Sequence, residues 1–324
     1  MRKTISILLA ILILCLLLSS CRSQDTVTYP LTVNGTPIDS EIFSYYLDSA
    51  WDDGASGGTK DGRITEASHM CIRYVAVNST FTTSGLSLSD SEKVEISDNA
   101  NVLWELFGEY YKKIGVSKQT YLKIKTNEAY IEKLRTAFFD VGGTDEISDA
   151  VLRGVLLENY VSFRYIRTPL TDVDVYGNER PLDENETAQL NTLYNKAVSS
   201  VKASLNIDKA YSDIAAVFPL TERTYETKVI DRYDHEFSLS VFNTVKEMED
   251  DAVKIFQYGD YVYLIEKINI INDGAIFADL RRECLKLISE EPLQSKINIM
   301  CNAYQSVRDT ALVKKIYEKV AENR

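Results

Sequence analysis

The chain has 324 residues, 45% of them hydrophobic and 26% charged. That is enough apolar content to bury two modest cores, and it excludes an intrinsically disordered protein. The formal net charge of −12 excludes nucleic acid and anionic headgroups as electrostatic partners.

Arg2 and Lys3 precede an uninterrupted apolar run from Ile5 to Leu18, followed by Ser19, Ser20 and Cys21. A run this short has the length of a signal-peptide core rather than of a comfortable membrane span. Leu18-Ser19-Ser20-Cys21 has the form of a bacterial lipobox, so cleavage is expected after Ser20, with a diacylglyceryl group on the Cys21 sulfur. The alternative is an ordinary secretory signal with an incidental cysteine. Removing Met1 to Ser20 leaves 34 basic against 48 acidic residues, or −14. Residues 21–28 are short, polar and without periodicity, and read as a tether. The expected location is extracytoplasmic, with membrane attachment through the lipid.

Tyr29 to Ile38 predicts a short strand reversed at Asn34-Gly35. Asp39 or Ser40 then caps a helix with Ile42, Phe43, Tyr46, Leu47 and Ala50 on one face. Asp52 to Arg63 is glycine-rich and charged, a loop whose glycine spacing fits no nucleotide-binding fingerprint. Thr65 is expected to cap a helix to about Ser79. Ser89 or Asp90 caps a long helix to about Phe107, Gly115 breaks the pattern, and Ser117 starts a helix through Phe139.

Ser148 opens a helix bearing Val151, Leu152, Val155 and Leu156. It hands over to an alternating strand in which Val161, Phe163, Tyr165 and Arg167 share one side and Pro169 ends the run. Thr171 to Asn185 reads as an acidic loop, Glu186 to Leu205 as a helix, Ala210 to Phe218 as a short helical segment, and Ser238 to Lys246 as a helix. Asp251 to Ile270 gives two strands joined by a Tyr-Gly-Asp turn. Ala275 to Val320 reads as helices, broken at Pro292. Cys71, Cys284 and Cys301 sit in apolar helical patterns and read as small buried hydrophobes, with a Cys284–Cys301 pair left open. The only histidines are His69 and His235, and no Cys/His spacing resembles a metal site, so no metal and no cofactor are expected.

Two stretches carry a resemblance. VNGTPIDSEIFSYYL, followed by the succession of capped helices to Tyr160, resembles the helical chaperone domain of SurA/PrsA-type extracytoplasmic foldases. Tyr160 to Ile166 resembles the first strand of that family's parvulin prolyl-isomerase domain, and AYSDIAAVF is similar to a short parvulin segment. The resemblance implies an α+β chain. A discontinuous all-helical domain over residues 29–159 would be interrupted by a degenerate parvulin-like domain of about four antiparallel strands over 160–272. Helices over 273–324 would then return to the first domain.

It further implies a folding factor that binds unfolded secreted polypeptides. Parvulins favour the twisted prolyl amide through paired histidines. Tyr165 and Tyr263 stand at those positions here, as the candidate catalytic pair or as plain strand aromatics, and the glycine-rich segment expected before the closing hairpin is replaced by TYETKVIDRYDHE. Weak or lost isomerase activity is therefore expected; an active prolyl isomerase and a solute-binding lipoprotein are the alternatives. His235 reads as a solvated loop residue.

Overall fold

The computed structural model describes residues 28–324 except 53, 55, 56, 175, 205, 206 and 225. The signal segment, Cys21 and most of the tether lie outside the described residues. The chain forms two compact units, one made of residues up to Leu134 together with Leu293–Arg324, the other of Arg135–Pro292. The fold is α+β, and every strand pairing is antiparallel.

The first unit is not all-helical, because it holds a three-stranded sheet in the order β10-β1-β2. Strands β1 (Leu31–Val33) and β2 (Thr36–Ile38) form a hairpin. Asn34 and Gly35 both take positive φ, 45° and 81°, which the tight hairpin turn requires. Pro37, which has no N–H to donate, falls on the edge strand, where none is needed. The other edge of β1 is filled from the far end of the chain by β10 (Ser306–Arg308). A period-two signal only three residues long cannot announce such a strand, and the pattern there predicts only helices.

Four helices follow β2. Helix α1 (Ser40–Ser49) buries Ile42, Phe43 and Leu47. Helix α2 (Lys60–Thr83) starts five residues before the expected cap: Thr59 Oγ1 accepts from Gly62 N at 3.0 Å, and Thr65 is interior. Helix α3 (Asp90–Ile114) opens on a reciprocal capping box between Ser89 and Glu92 and closes at Gly115, whose φ of 88° suits glycine. Helix α4 (Lys118–Phe139) begins at Ser117, whose Oγ accepts from Thr120 N.

The second unit begins with the end of α4 and contains α5 (Asp149–Asn159), of which only Leu152 and Leu156 are buried. Its sheet has five strands rather than four. Strand β3 (Tyr160–Pro169) pairs along its length with β9 (Tyr261–Ile268), and β8 (Val253–Tyr258) lies beyond β9. The opposite edge of β3 is shared by β6 (Glu222–Arg223) and β7 (Lys228–Asp231). A separate miniature hairpin, β4 (Thr171–Val173) with β5 (Glu179–Pro181), occupies the expected acidic loop.

Both faces of the sheet are covered. Helices α6 (Glu184–Ser204) and α7 (Ile207–Ala215) pack Leu190, Tyr194, Val201 and Ile214 against Ile166, Val262 and Leu264. On the other face, α8 (Leu239–Glu247), capped by Ser238, packs Val241, Phe242 and Val245 against Val161, Phe163 and Ile265.

Pro292 does not end a helix. It lies inside α9 (Gly274–Asn302), which continues past it with Leu293 and Ile297 fully buried. The missing N–H costs one helical hydrogen bond, and burial of those two side chains offsets it. Helix α10 (Thr310–Glu322) is capped by Asp309 and buries Val313, Ile316 and Val320 in the core shared with α1 and β1. Cys71 and Cys284 are buried, and all three described cysteines are free. Among the described residues no helix is long and apolar enough to cross a membrane.

On α3 the Trp104 indole lies over Gly108, so that a Cβ there would stand 2.7 Å from the ring. Gly108→Val is expected to lower stability by about 1–3 kcal/mol in denaturant titrations. Gly154→Ala on α5, where a Cβ meets nothing within 4 Å, is expected to raise it by up to about 1 kcal/mol.

Candidate functional sites: a groove and a tyrosine cluster

Two features bear on function, one in each unit. In the first unit α1, α2, α4 and the end of α9 enclose a groove of about 700 Å³. Its apolar walls are Tyr46, Met70, Ile72, Tyr74 and Ile131. Polar groups interrupt them. Asn298 and Asn302 stand one turn apart on α9, so both amides fall on the same helix face. Arg73 Nη1 donates to Gln294 at 2.5 Å, and Asn127 Nδ2 donates to the Tyr74 carbonyl at 3.0 Å. These two bonds hold α2 to α9 and α4.

Burial pushes the Tyr46 and Tyr74 phenols above their ordinary range. Both stay neutral, donating and accepting, at physiological pH. Such a lining offers apolar surface for side chains and neutral hydrogen-bonding groups for an extended backbone. His69 lies on its rim, largely exposed, 4.0 Å from Glu66.

The groove depends on contacts around it. Asp48, at the end of α1, accepts from Tyr110 Oη at 2.5 Å and from Arg324 Nε at 2.7 Å. The half-buried phenol of Tyr110 is pushed up to about 12, first by desolvation and then by that carboxylate. Phe81 stacks on Tyr130 with centroids 3.8 Å apart, joining α2 to α4.

In the second unit, strand register places Tyr165 opposite Ile265 and Arg167 opposite Tyr263. Tyr165 and Tyr263 therefore lie diagonally on one face of the sheet, the face covered by α8. They do not meet as a bonded pair. Phe237 packs edge-on to both, with centroids 5.2 Å from Tyr165 and 6.5 Å from Tyr263. The Tyr165 hydroxyl donates to Glu236 Oε1 at 3.4 Å, and the Tyr263 hydroxyl accepts from Arg167.

Arg167 is the organising cation. Its Nε donates to Glu222 at 2.6 Å, its Nη1 lies 3.5 Å from Glu236, and its guanidinium sits 5.5 Å from the Tyr165 ring and 5.4 Å from the Tyr261 ring. Lys228 completes the network with a 2.6 Å bond to Glu236. Alternation placed Arg167 on the side of Tyr165; its partners were not legible, because Glu222 and Glu236 come from short segments whose pairing is set by the fold. His235 is exposed and outside this network.

Burial pushes both phenols up, against the opposing pull of Arg167. Tyr165 and Tyr263 are only 6% and 5% exposed, and each hydroxyl is already partnered. Because the folded pKa values lie above those of the unfolded chain, their stabilising effect is full below about pH 10 and is lost as the pH rises through the folded values. Alkaline unfolding should therefore shift to higher pH in Tyr165→Phe/Tyr263→Phe, as followed by circular dichroism, and phenolate absorbance should show two fewer late-titrating tyrosines.

No protein-family model matches the chain, and no curated protein matches it. Solved structures similar to it include three foldases. Foldase protein PrsA from Streptococcus pneumoniae is 14% identical, with 86% of this chain and 88% of that chain covered and a TM-score of 0.31. PrsA from Lactococcus lactis is 10% identical over 90% and 99%, with a TM-score of 0.37. PrsA from Bacillus subtilis is 13% identical over 82% and 87%, with a TM-score of 0.25.

Proposed function

We propose that this chain is a lipid-anchored, extracytoplasmic folding factor that holds unfolded secreted polypeptides in the groove of its first unit, with prolyl isomerase activity weak or lost. The observation that carries the reading is the groove itself: about 700 Å³, with aromatic and aliphatic walls and side-chain amides along it. An unfolded chain offers what such a lining takes, namely apolar side chains and an unpaired backbone. A solute-binding lipoprotein would call for repeated parallel βαβ units, which the antiparallel pairings do not supply.

The tyrosine cluster supports the loss of isomerase activity. Rotation about a peptide bond meets a barrier of about 18–20 kcal/mol, and a catalyst must present polar groups to the twisting amide. Here Tyr165 and Tyr263 are buried, their hydroxyls are engaged by Glu236 and Arg167, and Phe237 fills the space between their rings. The Tyr165 hydroxyl proton is directed to Glu236, and burial of both rings keeps the phenols from a substrate carbonyl.

Anchoring rests on Cys21, where acyl chains contribute about 0.8 kcal/mol per buried methylene. Labelling with radioactive palmitate is expected in the wild type and absent in Cys21→Ala; labelling that persists in the variant excludes this anchor.

Light scattering from an aggregating unfolded client tests the holding activity. Ile72→Asp/Ile131→Asp is expected to weaken suppression of aggregation several-fold, and unchanged suppression in a folded variant would rule the groove out. In a protease-coupled proline peptide assay no acceleration over background is expected; acceleration abolished by Tyr165→Phe/Tyr263→Phe would favour the active enzyme instead.

A further inference from the structure

Strand β7 pairs with β3 along one edge only. Backbone groups along β3 alternate between its two neighbours. Leu170 N donates to Asp260 O toward β9, whereas Tyr165 O accepts from Thr224 N on the β6–β7 side. Odd-numbered residues of β3 therefore face β7, so that Val161 bonds Ile230 and Phe163 bonds Lys228. The N–H and C=O of Val229 and the N–H of Asp231 are left pointing away from the sheet. An open strand edge is a template for a further strand.

Beside this edge lies a hollow of about 360 Å³. Ile276, Asp279 and Leu280 of α9 line one side, at the i, i+3 and i+4 positions of a single helix face. Tyr160, Val229 and Asp231 line the other. They share the sheet face opposite the α8 core, because Val161 and Ile230 belong to that core. Tyr160, Val229, Ile276 and Leu280 are only half-buried, and none of the described lining residues is basic. Asp231 accepts from Tyr233 N, and Asp234 from Glu236 N and Phe237 N, yet neither carboxylate nor that of Asp279 makes an ion pair among the described residues. No group of three such side chains among the described residues could hold a metal ion. The negative charge is therefore spread along the hollow, where it suits separate cationic side chains.

We propose that β7 and this hollow dock an extended polypeptide segment in which an aliphatic residue stands two positions from lysine or arginine. The segment adds to the free edge of β7, its main chain bonding Val229 and Asp231. Alternation sends every second side chain to the same face. The aliphatic residue enters the hollow against Ile276 and Leu280, and the basic residues beside it lay their stems along the apolar walls and bring their charges to Asp231, Asp234 and Asp279. Main-chain bonds give affinity for extended segments in general, and the carboxylates select the basic ones. The occupant is an unfolded client, so the site rests on the function proposed above, but it belongs to the second unit and uses no residue of the groove.

Fluorescence anisotropy tests this with the full chain in neutral detergent and a labelled Ser-Lys-Thr-Val-Thr-Lys-Ser peptide. Saturable binding is expected, about tenfold weaker for the same peptide with glutamate in place of lysine. Asp231→Asn/Asp279→Asn is expected to weaken binding about fivefold. Val229→Pro, which removes an outward N–H and no bond of the β3 ladder, is expected to weaken it about as much, with the melting temperature little changed. Ile72→Asp/Ile131→Asp is expected to bind the peptide like the wild type. The proposal is overturned if the wild type fails to bind up to on the order of 1 mM, if the glutamate peptide binds equally well, if Asp231→Asn/Asp279→Asn and Val229→Pro bind like the wild type, or if the groove variant alone loses binding. Undiminished suppression of client aggregation alongside any of these results would leave the proposed function standing and remove only this site.

Discussion

Strand β1 is three residues long and carries a partner on each edge, and those partners come from opposite ends of the chain. A three-residue strand has little stability of its own; its edge partners satisfy its backbone, while Leu31 and Val33 are fully buried in the core that holds Phe43 and Val313. Asp309 N donates to the Pro30 carbonyl and Asn34 N to that of Gln305, closing both ends of the β1–β10 ladder. Once that ladder forms, Asp309 caps α10, and α10 delivers Val313, Ile316 and Val320 to the core that contains Phe43 and Trp104. The groove depends on the same return. Asn298, Cys301 and Tyr304 reach it only because the last part of α9 is held beside α2 and α4.

The second unit follows a different constraint, a sheet buried on both faces. Strand β3 cannot have a polar side, and its two faces feed two separate cores, one under α6 and α7 and one under α8. Tyrosine suits such a strand, because its ring supplies apolar area and its hydroxyl needs only one partner. On the opposite face Tyr194 of α6 also has its hydroxyl satisfied, bonded to Thr168 at 2.8 Å and donating to the Val262 carbonyl at 3.1 Å. Tyr165 and Tyr263 sit among Phe163, Phe237 and Ile265 as members of a core, and the charged network of Arg167, Glu222, Glu236 and Lys228 closes over its edge.

What was legible in the sequence was local. Asn34-Gly35, the cap at Ser89 or Asp90, Gly115, Ser117 and Ser238 all place turns and helix ends through contacts within a few residues, and of the two cap candidates Ser89 takes the role. The alternation Val161, Phe163, Tyr165, Arg167 also sorted those side chains onto one face. What was not legible depended on distant partners. Thr59 rather than Thr65 starts α2 because the helix runs back into the glycine-rich segment, Pro292 is carried through by buried neighbours, and β10 is a strand only because β1 lies beside it. The partners of Arg167 and the walls of the groove likewise come together only by folding.

The pairing of β1 with β10 is best tested by nuclear magnetic resonance on the full chain. Antiparallel register with Leu31 opposite Arg308 and Val33 opposite Ser306 predicts nuclear Overhauser effects between the Hα atoms of each pair, together with slow exchange of the Asn34 amide. Absence of both effects, with Asn34 exchanging as fast as an unstructured amide, would contradict a first unit assembled from both ends of the chain.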